Sequence, residues 1–172
     1  MPSPADFKLY TAGTLSGLSE EAACSARLRK NLNVHPVLAD PVQRLFNALE
    51  PGTYARPHRH SRPDGWELMV VVRGAFSVLV FDDHGRVAER IDLRADGGDC
   101  AVEIPAGTWH TVVSRVPRTV MFEVKPGPYS PVADKDFAAW APEEGSADAA
   151  AQVRRLESAQ PGDRVCSTEF LS

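Results

Sequence analysis

The chain has 172 residues, enough for one domain with its own core, and its 43% hydrophobic and 24% charged content is that of a globular protein. The formal net charge is −4 and the largest basic cluster is Arg27-Leu28-Arg29-Lys30, which argues against nucleic acid as a partner. Cys24, Cys100 and Cys166 are too few and too far apart for a disulfide framework or a cysteine-based zinc knuckle.

Residues 1–40 read as an N-terminal helical segment. The opening residues show no basic stretch followed by an apolar one, so no signal peptide is expected. Ser19 followed by Glu20-Glu21 has the form of a cap with acid in the first turn. That predicts a helix from about Glu20 to Lys30, with Ala22, Ala23, Ala26 and Leu28 on its apolar side. Asn31-Leu32-Asn33 and His35-Pro36 end it.

Residues 41–126 change character. Short apolar runs rich in β-branched and aromatic residues, such as Leu68–Val72, Phe76–Phe81 and Val120–Val124, alternate with turn signals. These include Glu50-Pro51-Gly52, Arg73-Gly74, Asp96-Gly97-Gly98 and Pro105-Ala106-Gly107. Many short strands at regular spacing predict an all-β sandwich or barrel. Asp82-Asp83-His84-Gly85 reads as a hairpin turn, which leaves His84 exposed. Residues 127–145 read as an ordered irregular arm anchored by Phe137 and Trp140. Residues 146–172 read as a short helix, Ala147 to Glu157, and a tail whose last dozen residues lack periodicity and are expected to be disordered. Cys100 reads as a small core residue. No apolar run approaches the roughly 20 residues of a membrane span. The expectation is a cytoplasmic protein with neither a membrane nor a nucleic acid as partner.

The chemistry concentrates in three places. In Tyr54-Ala55-Arg56-Pro57-His58-Arg59-His60, an extended chain would put Tyr54, Arg56, His58 and His60 on one face. Two imidazoles at i and i+2 can share one ion. Glu67 opens the next run on the same face as Met69 and Val71, where an uncompensated carboxylate is costly. His110 follows the tight turn of Pro105 and Gly107 and opens another run. Singly, each also fits an ordinary strand-end residue. Together they form a pattern suited to the mouth of a small barrel, and they predict a metal site of His58, His60, Glu67 and His110.

Gly52-x5-His58-x-His60-x6-Glu67-x6-Gly74 resembles the first cupin motif, and Gly98-x6-Pro105-x-Gly107-x-x-His110 resembles the second. The His60–Glu67 and Gly98–Pro105 gaps are longer than is usual there, and Ser114 stands where Asn is usual. The resemblance implies a single cupin barrel, a jelly roll or double-stranded β-helix, with a short N-terminal helix and an irregular C-terminal arm. A narrower resemblance, over roughly Leu18 to Gly145, is to the WbuC family of cupin-fold metalloproteins. It rests on Arg29-Lys30-Asn31-Leu32-Asn33-x-His35, Asp40-Pro41-Val42-Gln43-Arg44, Pro57-His58-Arg59-His60, Glu123-Val124-Lys125-x-Gly127-Pro128-Tyr129 and Asp134-Lys135-Asp136-Phe137-x-x-Trp140-Ala141-Pro142. That resemblance implies a link to bacterial surface-polysaccharide clusters and no settled reaction.

Three imidazoles and a carboxylate suit Zn, Fe, Mn, Ni or Co. Met121, Glu123 and Lys125 alternate along a late strand, so Glu123 and Lys125 either pair inside the barrel or form a surface pair. With Arg56 and Lys125 inside, the site favours a small anion such as a carboxylate or a phosphorylated sugar. Tyr54, Glu123 and Lys125 are the expected acid–base groups, with wall packing the other reading of Tyr54. The expected functions are isomerase, epimerase or lyase chemistry on a sugar or sugar acid, a metal-stabilised binding or sensor module without turnover, or iron-dependent dioxygenation. Unpaired sheet edges lead us to expect a homodimer, joined through the N-terminal segment or the Phe137–Trp140 arm.

Overall fold

The computed structural model describes residues 7–129 and 135–166. In chain order the elements are helix α1 (Ala12–Cys24) and strands β1 (Arg29–Asn33), β2 (Val42–Leu49), β3 (His58–Arg59), β4 (Glu67–Arg73), β5 (Ala75–Phe81) and β6 (Val87–Arg94). There follow β7 (Ala101–Ile104), β8 (Trp109–Ser114), β9 (Thr119–Pro126), β10 (Asp136–Phe137) and helix α2 (Ala149–Ser158). They form two five-stranded sheets, β1-β2-β9-β4-β7 and β10-β3-β8-β5-β6, with antiparallel pairing throughout. The architecture is all-β apart from the two helices, a single jelly-roll barrel of two antiparallel sheets packed face to face.

Period-2 alternation sorts side chains into three apolar layers. Between the sheets lie Leu49, Met69, Val71, Phe76, Val78, Leu93, Val112 and Met121. Outside the first sheet, Ala48 and Val120 meet Leu15, Leu18 and Ala22 of α1, with Leu32 and Phe46 packed against them. Outside the second sheet, Leu79, Phe81 and Val113 meet Tyr54, Trp140, Leu156 and Val165. Strand β5 is therefore buried on both faces, and its near-continuous apolar run follows from that.

Several sequence expectations are corrected. The first helix ends where it was expected to be in full course. Its cap is Thr11, whose side chain accepts from the Thr14 backbone N–H at 3.1 Å. Ser19 lies inside the helix and its hydroxyl donates to Leu15 O. Residues 29–33 are strand, so the barrel begins before residue 41. The arm is anchored by Trp140, packed at 5.1 Å from Phe81, whereas Phe137 is half exposed. Trp140 is thus part of the outer core. Cys100 is exposed. Residues 161–166 are ordered: Val165 is buried and donates its N–H to Gly85 O at 3.0 Å. Asp134 and residues 167–172 lie outside the described residues.

Candidate metal centre

The two cupin-like motifs meet at one end of the barrel. His58 of β3 lies directly across from His110 of β8, and their ring centroids are 4.6 Å apart. Gly107 N–H donates to His60 O at 2.8 Å, which ties the Pro105–Gly107 turn to the first motif. The long gap before Glu67 folds as a turn in which Gly65 N–H donates to Arg62 O. The Arg62 guanidinium bridges Asp64 (2.9 Å) and Gly127 O (3.0 Å). The extra residues are taken up there, and Glu67 enters β4 pointing inward, 2% exposed.

His58, His60, Glu67 and His110 offer ligand atoms that lie within 4.8 Å of one another, and all four residues are buried. Glu67 Oε2 is 3.1 Å from His110 Nε2 and 3.4 Å from His60 Nε2. His58 Nδ1 is 2.9 Å from Arg56 O, and His110 Nδ1 is 2.9 Å from Thr108 O. A carbonyl can only accept, so both rings carry a proton on Nδ1; His58 Nε2 turns to the cluster and His110 Nε2 faces the Glu67 carboxylate. His58 Nε2 is buried and has no hydrogen-bond partner among the described residues.

The charge states suit a cation. Burial, with the Lys135 and His110 charges, holds His58 well below the usual imidazole range, so it is neutral. Burial pushes Glu67 up, but hydrogen bonds with His110, His60 and Glu123 outweigh it and hold the carboxyl well below its ordinary value. Three imidazoles and one carboxylate in a buried cluster with an orphaned Nε2 fit a borderline divalent ion. This group could hold one metal.

Glu123 and Lys125 are both inside the barrel, with Lys125 Nζ 3.3 Å from Glu123 Oε1. Asn47 Nδ2 donates to Glu123 Oε2 at 2.8 Å. Burial first, and then the nearby Glu67 charge, raise Glu123 to about 7, against the pull of Lys125. Tyr54 stands elsewhere. Residues 54–57 are not strand, the period-2 expectation fails there, and the Tyr54 hydroxyl donates to Pro142 O at 2.8 Å within the outer core. Burial pushes its phenol up. Arg56 reaches the cavity but is held by the arm: it donates to Ala138 O at 3.1 Å and lies 5.4 Å from the centre of the Phe137 ring.

A cavity of about 710 Å³ opens beside His58 and Glu67. Its basic lining residues are Arg27, Arg29, Lys30, Arg56, Lys125 and Lys135, and its acidic ones are Glu67, Glu123 and Glu144. The sequence reading missed the β1 side of this cavity, with Asn31 and Asn33. The signal was present as Arg-x-Asn-x-Asn-x-His, a period-2 pattern taken for a helix end. No described helix is long and apolar enough to cross a membrane.

A family model described as a domain of unknown function, DUF6016, matches residues 10–93. No curated protein matches the chain. Among solved structures, KdgF from Halomonas sp. is similar at 23% identity and TM-score 0.46, over 58% of this chain and 81% of that one. A cupin superfamily protein from Desulfitobacterium hafniense is similar at 15% identity and TM-score 0.45, over 57% and 76%. Oxalate decarboxylase from Bacillus subtilis is similar at 18% identity and TM-score 0.47, over 63% of this chain and 27% of that one.

Proposed function

We propose that this chain is a metal-dependent cupin of the WbuC type that takes a small anionic molecule, a sugar acid or phosphorylated sugar, into the cavity beside His58 and rearranges it by proton transfer. The observation that carries this reading is the cavity lining, where six basic side chains face three acidic ones. A cation beside a metal site is unfavourable unless an anion lies between them.

His58, His60, Glu67 and His110 would hold the ion. Bound there, a divalent metal supplies a Lewis acid for a carbonyl or hydroxyl oxygen. Lys125 supplies a cation for the anionic group. Its partner Glu123, fixed by Asn47, is a buried group outside the ligand set that can hold or accept a proton. Arg56 and Lys135 add positive charge at the mouth. Such a set serves isomerase, epimerase or lyase chemistry.

Calorimetry on metal-loaded protein tests this. Gluconate is expected to bind at least tenfold more tightly than glucose, and Lys125→Met to remove most of that difference with metal content unchanged. Equal binding of the neutral sugar and its acid would overturn the reading.

A further inference from the structure

The floor of the cavity does not stop at the metal cluster. It continues over β9 and β2 to the inner face of β1. The register places Asn33, Leu45, Glu123 and Met69 in one cross-strand row, and Asn31, Asn47, Met121 and Val71 in the next. From β4 to β1 is three strand spacings, about 14 Å. The floor is charged at the β4 and β9 end and lined by carboxamides at the β2 and β1 end, where Asn31 Nδ2 donates to Asn33 Oδ1 at 2.9 Å.

His35 adds an independent observation. It lines the same cavity and is 6% exposed. The Arg44 carbonyl already accepts from Val34 N–H (2.8 Å) and His35 N–H (3.3 Å). His35 Nδ1 lies 2.9 Å from Arg44 O and 3.0 Å from Arg44 N, so the Arg44 backbone takes up this nitrogen in either tautomer. His35 Nε2 is buried and has no hydrogen-bond partner among the described residues. A buried polar atom without a partner is destabilising, and such a group commonly marks a place where something else binds.

We propose that Asn31, Asn33, Asn47 and His35 form a second subsite, for a chain of hydroxyl groups, and that the ligand is a polyhydroxylated acid longer than one sugar ring. This rests on the anionic-site reading above. Carboxamides both donate and accept, as hydroxyls do, and a hydroxyl can also partner His35 Nε2 in either tautomer. A cavity of about 710 Å³ is also far larger than a two-carbon acid requires and lies within the roughly 300–1,000 Å³ of ordinary ligand clefts.

The test is calorimetry on metal-loaded protein with glycolate and lactobionate. Both present a 2-hydroxy acid to the metal end, and only lactobionate carries a polyol chain and a further sugar ring. Lactobionate is expected to bind at least tenfold more tightly. The Asn31→Ala, Asn33→Ala double variant, whose changes lie on exposed side chains, and separately His35→Ala should each erase most of that gain. Equal affinity for the two acids, or a lactobionate gain intact in the double variant, would overturn the second subsite while leaving the anionic site standing. Failure of both acids to bind metal-loaded protein would overturn the anionic site and the subsite with it.

Discussion

Asn47 of β2 donates its side-chain N–H to Glu123 of β9 at 2.8 Å, and this contact joins the amide half of the cavity floor to the charged half. Glu123 is 7% exposed, so each of its oxygens needs a partner. Lys125 serves one and Asn47 the other. Asn47→Ala should cost about 1–3 kcal/mol in stability, the range for a buried acceptor left unmatched. Denaturant unfolding of the metal-free protein checks this, and an unchanged midpoint would mean that Glu123 does not depend on Asn47.

The arm should loosen in acid. Glu144 receives Arg27 at 2.9 Å and Arg29 at 2.5 Å. Burial pushes its carboxyl up, but the two guanidinium groups, Arg29 foremost, outweigh that and hold it below the ordinary value. With the folded value depressed, the pair contributes fully above the unfolded pKa of about 4.3 and is lost as pH falls through the folded value. Glu144→Gln should cost about 1 kcal/mol at pH 7 and little at pH 3. Hydrogen exchange over residues 135–144 reads this as a several-fold rise in rate at pH 7. No change there would show the ion pairs to be incidental.

Gly85→Ala should destabilise the hairpin between β5 and β6. Gly85 has φ +73°, and a Cβ would sit 2.9 Å from the Trp140 ring, which is itself locked in the outer core. Left-handed backbone and overpacking each cost roughly 1–2 kcal/mol or more. A melting temperature equal to that of the parent protein would refute the close approach.

We expect a homodimer. The β6 edge is covered by the chain's own C-terminal segment, where Val87 N–H donates to Asp163 O and Gly162 N–H to Val87 O, both at 2.8 Å. Strand β1 is the edge of the other sheet, and an uncovered edge is a liability that a second copy can satisfy. Sedimentation at micromolar concentration should give twice the chain mass. A monomer would count against it.

The parts of the fold that were legible in the sequence are those fixed by local rules. Hairpin chemistry placed Asp82–Gly85, and alternation put Glu123 and Lys125 on one face of β9. The tight turn at Pro105 and Gly107 set His110 at a strand start. Alternation failed at Tyr54, because residues 54–57 run without strand pairing and the arm claims the Tyr54 hydroxyl through Pro142 O, while Arg56 lines the cavity and is also held by Ala138 O. Nothing in the local sequence announces contacts made with residues some 80 positions away. The helix was misplaced because Ser19-Glu20-Glu21 has the chemistry of a cap, whereas Ser19 bonds back to Leu15 O inside the helix. The amide strip was missed because Asn31 and Asn33 read as helix-ending residues until β2 pairing showed them to be strand.

The most direct test of the account is the metal content of purified protein, measured by elemental analysis on wild type and on the His58→Ala, His110→Ala double variant. The buried ligand set predicts about one divalent ion per chain in the wild type and close to none in the variant, with the barrel still folded by circular dichroism. Full metal content in the folded variant would contradict it.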